Sequence, residues 1–147
     1  DTTIKMFDHI KMKQISAGRY HTLFLTQAGE VYACGQNNLG QLGIGHQREN
    51  DTAKPSAEVS IDLKNCYYIP KQIGGEIEGK RIVQISSWTN SACVSVDKNL
   101  YMWGSGIFGD FDEPKQIDMA ALLGSETPIE VESVSVGGNF TLIQDTN

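Results

Sequence analysis

The feature that most constrains the fold of this chain is an internal repeat. Residues 13–35, KQISAGRYHTLFLTQAGEVYACG, align with residues 83–104, VQISSWTNSACVSVDKNLYMWG, and residues 131–147, VESVSVGGNFTLIQDTN, form a third, partial copy. The triplet Gln-Ile-Ser occurs in both full copies, and a one-residue gap placed in the turn QAGE/DKN brings Gly35 onto Gly104. Such self-similarity is typical of architectures in which each unit buries its apolar face against the next.

Each repeat unit is predicted to be all-β. The short apolar runs TLFLT and ACVSV favour strands buried on both faces, and each is followed by a turn and a second strand, VYACG or LYMWG. A glycine-rich loop comes next, and then a strand that starts near the proline of PKQI, at 70–73 and 114–117. The segment DMAALLG predicts one or two helical turns, with Asp118 as N-cap and Gly124 as the stop. Evenly spaced hairpins with glycine and aromatic punctuation predict a partial β-propeller: two four-stranded antiparallel blades plus a partial third.

The glycine-rich stretches are predicted to form turns rather than a phosphate site. No lysine follows Gly40, Gly43 or Gly45 as a P-loop requires. Residues 104–109 match G-x-G-x-x-G, but the following DFDEP carries three carboxylates and a proline, which oppose both a phosphate and a helix start. No cofactor is expected.

The motifs of the first copy resemble those of the regulator of chromosome condensation repeat family. The family's small-Gly-x-x-His-(Ser/Thr) strand is present as AGRYHT at 17–22, and its hydrophobic-aromatic-x-x-Gly strand as VYACG at 31–35. Its N-x-x-G-Q-L-G-x-G turn is present as NNLGQLGIG at 37–45. The second copy departs from the pattern: Trp88 replaces the glycine and Ser91 replaces the histidine, while the third copy has Phe140 at the histidine position.

The resemblance implies structural roles for the repeated residues. The histidine is expected to make a structural hydrogen bond, the tryptophan to pack between blades, and the glycines to shape turns or permit close approach of chains. The residues concerned are Gly18, His21, Gly35, Gly40, Gly43, Gly45, Trp103, Gly104 and Gly137.

The chain is predicted to be a fragment of a single propeller domain, residues 1–147, because two blades and a stub cannot close a ring. The repeats run roughly over 13–69, 83–117 and 131–147, with an inserted loop at 46–68. By resemblance the complete ring has seven blades, so the remaining blades are expected in cis or in trans. The start at Asp1, without a methionine, agrees with a piece of a longer protein.

Charge and cysteine content bound the partners and the compartment. The net charge of −6 repels phosphate backbones and anionic lipid, so neither nucleic acid nor a membrane is expected as a partner. Three cysteines without a CxxC motif indicate mostly buried, reduced thiols in a cytoplasmic or nuclear protein. No apolar run is long enough to span a bilayer.

No catalytic set is predicted, because His9, His21 and His46 have no recognisable nucleophile or carboxylate partner. The DFDEP segment lacks the glycine and the closing glutamate of a calcium loop and is interpreted as a solvated acidic loop, so no metal is expected. The insertion at 46–68 is interpreted either as a tolerated, mobile loop or as a partner-binding element, because inserted loops often carry specificity on rigid scaffolds. The partner-binding hypothesis assigns contacts to this insertion and to the acidic segment. The candidate contacts are Arg48, Lys54, Tyr67, Tyr68, Asp110, Asp112 and Glu113.

Three functions remain open from the sequence. The first is a non-enzymatic scaffold for protein–protein interaction, with acidic residues 110–132 favouring a basic partner surface. The second, implied by the resemblance, is guanine nucleotide exchange on a Ran-type small GTPase, for which Asn38 and Asp110 lie in comparable loops. The third is a structural subunit held within a large complex.

Overall fold

The computed structural model describes residues 7–45 and 65–146, and these form an all-β arrangement of two blades and a hairpin. The first blade, β1–β4, and the second, β5–β8, are four-stranded antiparallel sheets whose strands follow chain order, and the third-blade hairpin is β9–β10. The strands are β1 Met12–Ala17, β2 His21–Thr26, β3 Val31–Gln36, β4 Cys66–Gln72, β5 Ile82–Ser87, β6 Ser91–Ser95, β7 Leu100–Gly106, β8 Gly109–Ile117, β9 Val131–Val136 and β10 Thr141–Asp145. This confirms the predicted partial β-propeller of two four-stranded blades and a partial third.

Two apolar layers hold the blades together. In the first layer, side chains of β2 and β3 such as Leu23 and Val31 pack on Ile82 and Ile85 of β5. In the second, Val94 and other residues of the second blade pack on β9. The second blade is therefore covered on both faces, and every residue of β6 is buried. The strand β2 alternates in burial over most of its length, because no blade among the described residues packs on its other face, where the Phe7 ring lies 5.6 Å from the rings of Phe24 and Tyr32.

A glutamine joins each blade to the next. The Gln14 side-chain amide donates to the Ile85 carbonyl at 2.8 Å and accepts from the Ile85 N–H at 2.9 Å. Gln84 makes the same pair of bonds to Val134, at 3.2 Å and 2.9 Å. The first strand of a blade has backbone groups that its own sheet does not use, and the glutamine satisfies them. We call this contact the glutamine clamp.

The one-residue gap between the two full repeats lies in the β1–β2 turn and not in the β2–β3 turn, which corrects the sequence alignment. The β2–β3 turns have equal length, since Gly29, with φ +91°, corresponds to Lys98, with φ +63°. The β5–β6 turn is one residue shorter than the β1–β2 turn. The Trp88 N–H donates to the carbonyl of Asn90, two residues further on, whereas the Gly18 N–H donates to the carbonyl of His21, three residues further on. The residue equivalent to His21 is therefore Asn90 and not Ser91.

The fourth strands begin well before the prolines. In β4 and β8 the ladder is interrupted by a bulge that contains Pro70 or Pro114, and the strand continues on the turn side of that bulge. Both prolines lie on edge strands, where a missing N–H is tolerated. The DFDEP segment is therefore part of β8 and not a loop, because Ser105 and Gly106 pair with Asp110 and Gly109 across a two-residue turn.

The short helix α1, Met119–Leu123, follows β8 and has the caps that the sequence predicts. The Asp118 carboxylate accepts from the Ala121 N–H at 3.0 Å, and Gly124 ends the helix at φ +67°. Across the described parts of the chain, no helix is long and apolar enough to cross a membrane.

Candidate interaction face

Antiparallel order brings five turns to one end of the blades. These are the β1–β2, β3–β4, β5–β6, β7–β8 and β9–β10 turns, and they lie at residues 18–20, 37–45, 88–90, 107–108 and 137–140. The Arg19 N–H donates to the Trp88 carbonyl at 2.8 Å, so the first and second blades are in contact here. We call this end the turn face.

Large apolar side chains project from the turn face into solvent. Four of them, from the first two blades, are between 43% and 65% exposed: Tyr20, Leu39, Trp88 and Ile107. Phe140 of the incomplete third blade is 60% exposed, but its equivalents His21 and Asn90, which the following blade covers, are 4% and 7% exposed. Single exposed apolar residues are common on protein surfaces, but a cluster of them marks an interaction site. The Arg19 guanidinium lies over the Tyr20 ring, 5.0 Å from its centroid.

The turn face contains two adjoining clefts. A cleft of about 460 Å³ lies between Leu39, Ile107 and Phe140, one from each blade, and polar side chains complete its lining: Thr89, Asn90, Ser105, Asn139 and Thr141. A second cleft of about 300 Å³ is lined by Asp110 and Asp112. Leu39 and Ser105 line both, so an apolar region and an acidic region are continuous.

The described part of the β3–β4 connection, residues 37–45, is held by hydrogen bonds within itself and to the second blade. The Asn37 carboxamide accepts from the Leu42 N–H at 3.0 Å, and that of Gln41 accepts from the Leu39 N–H at 2.8 Å. Gly40, Gly43 and Gly45 have φ values of +72°, +71° and +72°. At Gly43 a Cβ would lie 2.7 Å from the indole nitrogen of Trp103, so glycine is required there on two grounds.

A buried polar network supports the turn face from below. The His21 Nε2 lies 2.7 Å from the Ser91 hydroxyl, which donates to the Gln41 carbonyl at 2.8 Å. The Trp103 indole N–H donates to the same carbonyl at 3.0 Å. Burial lowers the pKa of His21 to about 4, so this imidazole is neutral at pH 7. The hydrogen bond between His21 and Ser91 joins the first blade to the second.

Four of the repeated glycines lie so close to a neighbouring residue that little or no room is left for a Cβ. A Cβ on Gly18 would lie 2.6 Å from His21, and one on Gly35 would lie 2.7 Å from the Cα of the same histidine. Gly104 stands in the same relation to Asn90, and a Cβ on Gly137 would lie 2.7 Å from the ring of Phe140.

The predicted partner-binding residues fall in three places. Arg48 and Lys54 lie outside the described residues. Tyr67 is partly buried beneath the Lys71 ammonium, 4.9 Å from its ring centroid, while Tyr68 is exposed on the edge strand β4. Neither tyrosine lines either cleft.

The acidic candidates lie on β8. The Asp110 carboxylate accepts from the Ser105 hydroxyl at 2.6 Å, and with Asp112 it lines the acidic cleft. Glu113 lies toward Gly45 and Gly75.

Four apolar residues of the turn face were not singled out from the sequence. These are Tyr20, Leu39, Ile107 and Phe140, while Trp88 is noted above only as the replacement of the motif glycine. A signal was present, because large apolar residues inside glycine- and asparagine-rich turns have no strand partner to bury them.

Within residues 7–45 and 65–146, the structure shows neither a cluster of metal ligands nor a helix that begins at the G-x-G-x-x-G motif. No group of three or more histidine, cysteine or acidic side chains is arranged there to hold a metal ion. The G-x-G-x-x-G segment forms the β7–β8 hairpin, so no helix begins at Gly109 to face a pyrophosphate. Of the cysteines, Cys93 is buried and Cys34 and Cys66 are half-buried.

Comparison with known proteins agrees with the repeat. Two profiles of the Regulator of chromosome condensation (RCC1) repeat match residues 12–41 and 28–93, which together span more than half of the chain. The human RCC1-like G exchanging factor-like protein is 33% identical over 93 residues, covering 63% of this chain and 16% of that protein. The human X-linked retinitis pigmentosa GTPase regulator is 34% identical over 109 residues, covering 74% and 9%.

The fold also matches a solved structure. Prp20p from Saccharomyces cerevisiae, described with its binding properties to Gsp1p and histones, superimposes with a TM-score of 0.71 at 20% identity, covering 94% of this chain and 32% of that one. The chain thus spans less than a third of each of these proteins.

Proposed function

The chain belongs to the regulator of chromosome condensation repeat family, and we propose that its blades form a non-enzymatic scaffold that binds a protein partner through the turn face. The observation that carries this proposal is the group of four exposed apolar side chains, Tyr20, Leu39, Trp88 and Ile107, which the turns of the first two blades present at one end. A rigid scaffold that presents apolar side chains loses little conformational entropy on binding. We place the protein in a reducing compartment, the cytoplasm or the nucleus, because its three cysteines form no CxxC motif.

A pull-down from cell extract tests this function. The double variant Leu39→Asp/Ile107→Asp adds charge to the turn face and is expected to release the bound proteins. The matched control is Leu122→Asp/Leu123→Asp on α1, where the side chains are equally open to solvent but lie at the other end of the second blade. Equal recovery of partners with both variants would contradict the proposal.

Guanine nucleotide exchange on a Ran-type small GTPase is the second candidate. It is favoured by the names of the relatives, a G exchanging factor-like protein and a GTPase regulator, and by the description of Prp20p with Gsp1p. Release of mant-GDP from Ran, measured with the full-length parent protein, separates the two candidates. Acceleration above the intrinsic rate would favour exchange, and unchanged release would favour the scaffold.

We also propose that further blades cover the flanks of this fragment, either in the same polypeptide or as subunits of a complex. The position of Ile15 recurs as Ile85 and Val134, which are 1% and 2% exposed because a blade precedes them, whereas Ile15 is 59% exposed. At the other end Leu142 is 64% exposed, while its equivalents Leu23 and Ala92 are fully buried. A photo-cross-linking residue placed at position 15 of the parent protein would identify the covering segment.

A further inference from the structure

We infer that the open flank of the first blade, the face that carries Ile15, Phe24 and Tyr32, binds the first strand of another β-blade through a Gln-x-Ser or Gln-x-Thr sequence on that strand. This inference rests on the proposal that further blades cover the fragment, because it names the side chains by which the covering blade binds. The glutamine hydrogen-bonds to the N–H and carbonyl of Ile15, and the hydroxyl accepts from the N–H of Ala17.

The backbone of Ile15 is placed to receive a glutamine. The glutamine clamp is made at both described junctions, to Ile85 and to Val134, which are the equivalents of Ile15. The pairing of Ile15 with Phe24 corresponds to that of Ile85 with Cys93, so the N–H and carbonyl of Ile15 also point away from their own sheet. Within residues 7–45 and 65–146, no side chain hydrogen-bonds to these two groups. One carboxamide supplies both the donor and the acceptor that they need.

A serine hydroxyl makes the second contact at each junction. The Ser16 hydroxyl lies 2.9 Å from the Ser87 hydroxyl, and the Ser86 hydroxyl accepts from the Val136 N–H at 2.9 Å. Each of these serines follows its glutamine by two residues and contacts a residue two positions beyond the clamp. Ala17 is the equivalent position in the first blade, and because it has no hydroxyl, its N–H is the group that the covering strand binds.

Phe7 lies on this flank in the arrangement of an occupied junction. Its ring is 5.6 Å from the rings of Phe24 and Tyr32. Ile77 precedes β5 by as many residues as Phe7 precedes β1, and it belongs with Tyr101, the equivalent of Tyr32, to the apolar layer between the first and second blades. The flank therefore has the layout of a blade junction whose preceding blade lies outside the described residues.

A second copy of this chain does not fit the flank. Among the described strands, β1 and β5 are already engaged with the blade that follows each of them, so a second copy could offer only β9. The clamp position of β9 is Ser133, whose hydroxyl donates to the Gln144 carboxamide of its own hairpin at 3.1 Å. This side chain is too short to bind both backbone groups of Ile15. The occupant is therefore a further blade that carries the glutamine.

The photo-cross-linking residue at position 15 of the parent protein, isolated with any bound subunits, provides the first test. Mass spectrometry of the cross-linked peptide is expected to show the first strand of a blade, with a glutamine followed two positions later by serine or threonine. A blade strand without the glutamine would overturn this inference and leave the covered flank in place. A cross-link to no blade at all would overturn both.

Hydrogen exchange of the Ile15 amide tests the bond itself. Replacement of the identified glutamine by leucine is expected to speed this exchange by about 10-fold or more, because the N–H loses its acceptor. The Leu23 amide, in the central strand of the same blade, should keep its wild-type rate, and Gln27→Leu in the exposed β2–β3 turn should change neither amide.

Glutamate in place of the glutamine is the conservative variant. Its carboxylate still accepts from the Ile15 N–H and no longer donates to the carbonyl, so the increase in exchange should be smaller than with leucine. An Ile15 amide that exchanges at the wild-type rate in the leucine variant would overturn the inference. Equal acceleration at Ile15 and Leu23 would also overturn it, because the glutamine would then stabilise the blades in general and not this contact.

Discussion

At the scale of single residues, His21 and Gly43 show how little freedom the turn face has. His21 is 4% exposed and its hydrogen bond reaches the second blade through Ser91. Gly43 lies against Trp103, which binds the same buried network. A change at either position therefore acts on the contact between blades as well as on the turn.

The stability of the fold is expected to fall between about pH 6.5 and pH 4 through His21. Its pKa is about 4 in the folded chain and near 6.5 when unfolded, so across this window the unfolded chain binds a proton that the folded chain does not. The loss reaches about 3 kcal/mol when fully developed. Urea unfolding of the wild type and of His21→Gln at pH 7.0 and 4.5 measures it. A pH dependence of equal size in both proteins would contradict the assignment.

Gly43→Ala is expected to destabilise the chain more than Gly79→Ala. The two glycines have nearly the same φ, +71° and +73°, so the cost of a left-handed backbone, about 1 kcal/mol, is common to both. Only at Gly43 would the new Cβ meet another group, the Trp103 indole at 2.7 Å. Urea unfolding followed by tryptophan fluorescence gives both values, and equal destabilisation would show that the indole moves aside without cost.

At the scale of elements, neighbouring blades are joined by a glutamine side chain that hydrogen-bonds to the backbone of the next blade's first strand. The glutamine clamp occurs at Gln14 and Gln84, and the third copy has Ser133 at this position, which binds Gln144 of its own hairpin. The device is therefore present at both blade junctions within the described residues and is replaced at the next one.

Gln84→Leu is expected to lower the free energy of unfolding by about 1–3 kcal/mol, because the N–H and carbonyl of Val134 lose their partner at a buried junction. Gln27→Leu, in the exposed β2–β3 turn, is the control and should change it by less than about 0.5 kcal/mol. Hydrogen exchange of the Val134 amide provides a local readout. Exchange at the wild-type rate in Gln84→Leu would mean that water replaces the glutamine without loss.

Most strands and turns could be predicted because the same sequence pattern occurs in both full repeats. The four-stranded units, the positive-φ glycines of the β3–β4 turn and the Asp118 cap follow from turn chemistry and alternation. The site of the one-residue gap could not be predicted, because both turns have polar, turn-forming sequences, and only the hydrogen bonds of Gly18 and Trp88 distinguish them. The strand character of DFDEP was missed because its bulge and edge position, which admit a proline and three carboxylates, depend on the neighbouring strand.

The candidate site was harder to predict than the fold. Asp110 and Asp112 were identified by charge, and the structure places them beside a cleft. The apolar part was missed because Leu39, Ile107 and Phe140 are distant in sequence and meet only when three blades are stacked.

At the scale of the whole molecule, a side chain's contribution depends on how many blades flank it. The first blade is covered on one face and the second on both, so equivalent positions have unequal environments. The same substitution should therefore have a different cost in each copy of the repeat.

Ile85→Ala is expected to cost about 2–4 kcal/mol in this chain, and Ile15→Ala less than about 0.5 kcal/mol. The first removes a side chain that is 1% exposed between blades, and the second removes its equivalent from an open flank. Denaturant unfolding compares them. In a longer protein that supplies a preceding blade, the Ile15 variant should become as costly as the Ile85 variant, and a cost that stays small there would contradict the proposed flank.

Because the second blade is covered on both faces, the rate at which Cys93 is alkylated reports how often the stacked blades separate. Cys93 is fully enclosed between sheets and burial raises the pKa of its thiol, whereas Cys34 and Cys66 are only half-buried. A thiolate is needed for alkylation, so Cys93 reacts with a maleimide only when the central sheet separates from its neighbours. The rate at which this one thiol is labelled therefore times the opening of the stack, and a bound partner that bridges the blades would slow it.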